Sequence, residues 1–251
     1  MTEEIKNDQT ANTPESASAS AAVLEAAPLK GLIGTKVGMT QVFVDDTKNA
    51  PVTVISSAGA IVTQIKTADK DGYNAVQVAI EDVLERKLSK AEVGHFTKKG
   101  LKPKRWLHEF RVKDATPFKI GQPVPVSVFA KGEWVQVSGL SKGKGYAGVV
   151  KRHGFSGGPH SHGHHEYRNS AGSSGAQGPQ RVFKGSRRAG HMGHVWSSVP
   201  KIEIVDVDAE RNLILLRGSV PGPNGNFVVL NPTKRKVRVG QPAQTKKKGK
   251  K

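Results

Sequence analysis

The residues with the clearest capacity for chemistry are His160, His162, His164 and His165, which are followed directly by Glu166. Imidazoles at this spacing can converge on zinc or nickel, and the carboxylate can add an oxygen ligand. A stable metal site also needs fixed geometry and partners that orient each ring, and the glycine-rich flanks of this run supply neither. We therefore predict no native metal site and no cofactor.

A second motif, residues 143–148 (Gly-Lys-Gly-Tyr-Ala-Gly), matches the dinucleotide-binding pattern G-x-G-x-x-G. That chemistry needs a helix after the third glycine, whose N-terminus holds the pyrophosphate. Gly154, Gly157 and Gly158 follow too soon for such a helix, so a flexible lysine-bearing loop is predicted instead. Since Glu166 is the only nearby carboxylate that could orient a catalytic base, we predict that the protein is not an enzyme.

Both motifs lie within a longer basic segment, residues 140–195, whose composition differs from that of a folded core. Its 56 residues include 13 glycines, seven of the nine histidines, nine Lys or Arg, and one acid. Such a stretch buries too little apolar surface to offset the entropy that is lost on ordering. Arginine and lysine suit phosphate oxygens, and glycines let the backbone approach a polyanion closely.

The basic segment also contains rings that can stack on unpaired bases, in Tyr146, Phe155, Tyr167 and Phe183. We therefore predict that it binds RNA, and we interpret its histidines as groups that pack on or hydrogen-bond to that RNA. A solvated basic face is the simpler alternative, but it explains the charge without explaining the histidines and glycines. The predicted RNA-binding residues are Lys142, Lys144, Lys151, Arg152, His153, Arg168, Arg181, Lys184, Arg187, Arg188 and His191.

The net charge of the whole chain also indicates a polyanionic partner. It has 251 residues with 39 Lys or Arg against 21 Asp or Glu, and its formal charge is +18. The absence of cysteine excludes disulfide scaffolds, thiolate metal sites and thiol catalysis. No apolar run approaches the roughly 18 residues that a membrane-spanning helix requires.

The elements that must position the basic segment are short strands. Apolar and polar residues alternate, with many Val, Ile and Thr, which predicts antiparallel pairing. The predicted strands cover residues 39–43, 52–55, 61–65, 75–80, 125–129, 134–137, 201–207, 213–217 and 227–230. Residues 81–104 have the strongest helical pattern, but Gly94 and Gly100 limit any helix to a short one.

The strand motifs and the basic segment together resemble the bacterial form of the ribosomal protein L-three family. The similarity begins with Gly-Leu-Ile-Gly-Thr-Lys-Val-Gly-Met-Thr at residues 31–40 and continues, in order, to about Leu230. The other matching stretches are residues 51–55, 71–78, 92–96, 141–152, 182–185, 189–193 and 206–217. Residues 160–165 depart from the family pattern.

The resemblance implies a mainly β fold, with a translation-factor-like β-barrel, a small α/β insert and a long extended basic loop. The resemblance implies a barrel body (29–139 and 196–230), an insert (about 81–122) and an rRNA-penetrating loop (140–195). The two ends of the chain lie outside the family pattern, and their composition predicts a disordered acidic tail (1–28) and a basic C-terminal tail (231–251).

The implied function is that of a structural constituent of the large ribosomal subunit, located in the cytoplasmic ribosome. The loop would contact 23S-type rRNA near the peptidyl transferase centre, the protein would act early in assembly, and its neighbours would be proteins L-fourteen and L-nineteen. Bacterial members carry an N5-methylglutamine that aligns with Gln177, which implies a glutamine methyltransferase as a further partner. The usual second glutamine upstream is missing here, and Gln180 is a competing position.

Two alternatives belong to other classes of protein. One is a metal-dependent nucleic-acid enzyme that uses the histidines of residues 160–165. The other is a non-ribosomal RNA-binding module whose acidic tail masks its basic surface. Neither a membrane nor DNA is expected as a partner, because the charge lies along a glycine-rich loop rather than on an amphipathic helix.

Overall fold

The protein is mainly β, as the alternation of apolar and polar residues predicts. The computed structural model describes residues 29–45, 48–233 and 235. Within these ranges the strands are β1 (Leu32–Asp45), β2 (Lys48–Ser56), β3 (Ile61–Lys66), β4 (Ala75–Asp82), β5 (Lys104–Arg111), β6 (Trp134–Leu140), β7 (Tyr146–Ala147), β8 (Gly190–His191), β9 (Trp196–Asp208), β10 (Leu213–Arg217) and β11 (Phe227–Pro232). The helices are α1 (Ala68–Asp71), α2 (Lys90–Thr97) and α3 (Val149–His153). Across the described ranges, no helix is long and apolar enough to cross a membrane.

Six of the strands form a closed barrel in the order β1-β11-β6-β9-β10-β2, and every pair is antiparallel. The ring closes because β1 pairs with β11 near its start, with Leu32 opposite Leu230, and with β2 further along, with Met39 opposite Thr53. Ile214 and Leu216 of β10 are fully buried, whereas Leu213 and Leu215 are partly exposed and Arg217 is exposed. This period of two places alternate side chains in the interior of the barrel.

Strand β11 is buried on both faces. Phe227, Val228, Val229 and Leu230 are at most 7% exposed, although successive side chains of a strand point to opposite sides. The Phe227 ring stacks on Trp106 of β5, with 5.4 Å between ring centroids. One apolar cluster therefore extends from the barrel into a second sheet.

The second sheet has three antiparallel strands in the order β3-β4-β5, and α2 lies in the connection between β4 and β5. Helix α2 begins at a capping box, in which the Glu92 N–H donates to Ser89 Oγ at 3.3 Å and the Ser89 N–H donates to a Glu92 carboxylate oxygen at 2.9 Å. Phe96 anchors the helix, since it is only 1% exposed.

The structure differs from the sequence prediction at residues 125–129, where a strand was expected and a 3-10 turn, Val126–Val128, is found. Val124 and Val126 are buried with the spacing of a strand. However, Pro123 and Pro125 have no N–H to donate to a ladder. Pairing stops just before this stretch, at an isolated bridge between Ile61 and Pro123. Around that bridge the Val124 N–H donates to the Ala60 carbonyl and the Val62 N–H donates to the Gln122 carbonyl.

Two elements of the structure cross the domain boundaries that the sequence predicts. The second sheet begins at Ile61, ahead of the expected insert at about 81–122, because β3 and β4 pair with β5 rather than with the barrel. Strand β11 continues to Pro232, two residues into the expected C-terminal tail. The expected acidic tail, residues 1–28, and most of the basic tail lie outside the described residues.

Gly34 is required where β1 and β2 approach each other. A Cβ placed on Gly34 would overlap the Ile55 side chain and would lie 2.9 Å from the Ser56 carbonyl oxygen. The carbonyl belongs to a paired strand and cannot move away without disturbing the ladder. Gly94 of α2 is the opposite case, because a Cβ there would meet no atom within 4 Å.

We expect Gly34→Ala to lower the free energy of unfolding by about 1–3 kcal/mol, the usual penalty for overpacking a core. Gly94→Ala is the matched control, and it should raise that free energy by about 0.5–1 kcal/mol because alanine favours the helix. Urea unfolding monitored by circular dichroism measures both. Equal effects of the two substitutions would contradict the close approach at Gly34.

Candidate nucleic-acid interface

The basic segment connects two neighbouring strands of the barrel, β6 and β9. The last residue of β6, Leu140, lies opposite the first residue of β9, Trp196. The pairing continues beyond the barrel, since the Ser141 N–H donates to the Val195 carbonyl at 3.0 Å. The two ends of the segment therefore leave the barrel side by side, as the arms of one long hairpin.

The arms form a stem, defined as residues 141–147 and 190–195. The Lys144 N–H donates to the Met192 carbonyl and the Met192 N–H donates to the Gly145 carbonyl, both at 2.9 Å. Strands β7 and β8 follow, with Tyr146 opposite His191. A Cβ on Gly193, whose φ is +76°, would overlap the Lys142 carbonyl, so this glycine permits a close approach of the two arms.

Beyond the stem, α3 is attached to the returning arm through a single carbonyl. Arg152 donates from Nη1 to the Arg188 carbonyl oxygen at 2.9 Å, and His153 Nε2 lies 3.1 Å from the same oxygen. The helix has five residues and ends at Gly154 in the left-handed conformation. Residues 149–153 thus form a short helical turn after the glycine motif, and this turn is shorter than the helix that a dinucleotide site requires.

The structure places all the predicted RNA-binding residues along this hairpin. Ten of the eleven side chains are exposed, and His153 is half-buried. Lys142, Lys144 and His191 lie on the stem, and Lys151, Arg152 and His153 lie on α3. Arg168 lies in the 3-10 turn Glu166–Asn169, and the other four lie on the returning arm at positions 181, 184, 187 and 188.

Within the described residues, no carboxylate forms an ion pair with a cation of the basic segment. Among the described residues, every ion pair joins side chains outside 140–195. Glu166 is the only acid of the segment, and it is exposed. These cations are therefore available to an external polyanion.

The histidines of residues 160–165 are all exposed. Within the part of the chain that the structure describes, no three His, Asp or Glu side chains are grouped so that they could hold a metal ion. The arrangement that the metal-dependent alternative needs is not formed among these residues.

A buried lysine near the stem, Lys36 of β1, was missed by the sequence analysis. It is 7% exposed, and its Nζ donates to the Val220 carbonyl at 3.0 Å and the Gly222 carbonyl at 3.2 Å. Burial lowers the pKa of Lys36, and the positive charge of Lys142 lowers it further. The two hydrogen bonds of Lys36 tie β1 to the chain before β11. From that chain, Asn226 donates to the Leu140 carbonyl at the base of the stem at 2.9 Å.

The amino-acid sequence is similar to those of known proteins over most of its length. Residues 111–210 match the family model described as ribosomal protein L3. Large ribosomal subunit protein uL3 of Carboxydothermus hydrogenoformans is 45% identical over 201 residues, which cover 80% of this chain and 96% of that protein. The protein of the same name from Bacillus thuringiensis is 49% identical over 80% of this chain and 95% of its own length. That from Endomicrobium trichonymphae is 45% identical over 83% and 92%. Because this similarity covers more than nine-tenths of each relative, the chain belongs to the ribosomal protein L3 family.

Proposed function

We propose that this protein is a structural constituent of the large ribosomal subunit and that it binds large-subunit rRNA through the basic segment. The single observation that carries the proposal is a barrel-anchored hairpin whose exposed cations face no carboxylate partner among the described residues. Its relatives bear the name large ribosomal subunit protein, which agrees with this role. The role is architectural, with no catalytic step.

The hairpin is suited to RNA rather than to an acidic protein surface. Its cations are distributed along both arms instead of forming one patch, so each can meet a different phosphate of a folded RNA. Thirteen glycines keep the arms thin and let backbone N–H groups approach the polyanion. Tyr167 and Phe183 are 67% and 53% exposed, which leaves their rings free to stack on unpaired bases.

The finer features of the proposal come from the family resemblance. We infer that the closed barrel is of the translation-factor-like kind and docks on the rRNA surface, while the basic segment extends inward toward the peptidyl transferase centre. The protein would join the particle early in assembly, beside proteins L-fourteen and L-nineteen, in the cytoplasmic ribosome. We also propose that the body is divided from the basic segment at residues 139 and 195, that the acidic tail ends at about residue 28, and that the basic tail begins after the end of β11 at Pro232.

Co-sedimentation tests the function directly. The tagged full-length chain should migrate with the large subunit in a sucrose gradient and should remain with it after a wash in high salt, because contacts inside a folded RNA are protected from screening. A variant that lacks residues 148–189 is the control, and it should be lost in the wash. Migration of the intact chain away from every ribosomal particle would overturn the proposal and favour a non-ribosomal RNA-binding module.

Arg187 and Arg188 of the returning arm should contribute to the electrostatic part of binding. We expect Arg187→Ala/Arg188→Ala to reduce the slope of log K against log salt by about 1.4–1.8, since each lost phosphate contact removes roughly 0.7–0.9. Filter binding to a large-subunit rRNA transcript at several salt concentrations measures the slope.

The matched control for this pair is Arg105→Ala/Arg217→Ala, which removes the same charge from the body. Those arginines are paired with Glu81 and Glu203 at 3.0 and 2.9 Å, so their removal should leave the slope nearly unchanged. An unchanged slope for the Arg187/Arg188 variant would remove both residues from the set of contacts.

Gln177 is the proposed site of N5-methylation. Its side chain is exposed on the hairpin, and its carbonyl accepts a hydrogen bond from the Gln180 N–H at 3.3 Å. We expect one methyl group on the tryptic peptide of residues 169–181 from protein made in its own cells, and fragmentation should place the methyl group on Gln177. Gln177→Ala should abolish the modification and Gln180→Ala should preserve it, while the reverse result would assign it to Gln180.

A further inference from the structure

The basic segment contains a cleft of about 600 Å³, which lies between the chain that follows α3, residues 154–158, and the chain around the 3-10 turn Glu166–Asn169. Three ring-bearing residues line this cleft, which we call the aromatic cleft: Phe155, His164 and Tyr167. The rest of its lining is small and includes Gly157, Gly158, Ser156 and Ser170.

The two central glycines are required by close backbone approaches. Gly157 has a φ of +69°, and a Cβ there would overlap the Arg168 carbonyl oxygen. The Gly158 N–H donates to that same oxygen at 3.0 Å. A Cβ on Gly158 would lie 2.9 Å from His164 Nδ1 and 3.1 Å from the Tyr167 carbonyl oxygen. These glycines therefore allow the chain after α3 to lie against the backbone of the 3-10 turn, close to the His164 ring.

The charge around the aromatic cleft is positive at two places. Arg168 extends from the 3-10 turn itself, and Lys151 and Arg152 lie on the helical turn just before the cleft. All three side chains are exposed. A ligand with a flat uncharged part and an adjoining anion fits this arrangement. The rings can stack on the flat part, and the cations can form ion pairs with the anion.

We propose that the aromatic cleft holds one unpaired nucleobase of the bound RNA, stacked on Tyr167, with the flanking phosphates met by Arg168 and α3. This inference rests on the proposed function, which supplies the RNA, and it adds a specific base-binding site to a segment otherwise described by its charge. The lining also includes Ser156 and Ser170, whose hydroxyls supply hydrogen-bonding groups for the polar edge of a base. An isolated phosphate would use none of the rings.

The test compares two probes on the full-length chain, single-stranded oligoadenylate and an abasic strand of the same length. We expect Tyr167→Ala to weaken binding of oligoadenylate about tenfold and binding of the abasic strand by less than about twofold, because base–aromatic stacking is lost while the charges remain. Tyr167→Phe keeps the ring and should restore binding. Phe43→Ala removes a 70%-exposed ring from the body and should change neither affinity.

Equal losses for the two probes, or no loss for either, would overturn the aromatic cleft as a base site. Sedimentation of the wild-type chain with the large subunit tests the proposed function separately. If the wild type co-sediments and Tyr167→Ala binds oligoadenylate normally, only the cleft is wrong. If the wild type does not co-sediment but shows the Tyr167-dependent preference for oligoadenylate, the base site stands and the ribosomal role is wrong.

Discussion

The antiparallel pairing of β6 with β9 is the constraint on which the functional part of the molecule depends. It sets Leu140 opposite Trp196, so a segment with a net charge of +8 leaves and re-enters the barrel at one place. The segment buries little apolar surface, and its like charges repel one another. The barrel supplies what the segment lacks, because burial of its strands fixes the start and the direction of the hairpin.

Hydrogen bonds hold the two arms of the hairpin together beyond the barrel. The stem continues the ladder through Ser141, Lys144 and Met192, and the Arg188 carbonyl attaches α3 to the returning arm. Lys36 reinforces the base by donating to two carbonyls from the chain before β11. These contacts use backbone groups and leave most of the basic side chains exposed, which is the arrangement a polyanion-binding element requires.

Sequence patterns predicted most strands well. The stretch 213–217 was predicted with the same limits as β10, because it is a short apolar run that begins directly after the turn residues 208–212. The stretch 125–129 alternates apolar and polar residues but contains the 3-10 turn Val126–Val128, since neither Pro125 nor the preceding Pro123 has an N–H to donate to a partner strand. Strand β3 was predicted as a strand, but not its pairing within the second sheet. A period of two reports burial of one face and carries no information about which strand lies alongside.

The character of the basic segment is readable from its amino acids: its charge, its glycines, its aromatic residues and its similarity to the ribosomal protein L3 family. None of these properties requires knowledge of contacts. Strand pairing and packing, by contrast, place the ends of the segment side by side, bury Lys36 near Lys142, and bring Gly158 against the backbone of Tyr167 at the aromatic cleft. Such contacts join residues separated along the chain. They follow from closure of the barrel and from packing between chain segments, neither of which leaves a periodic signal in the sequence.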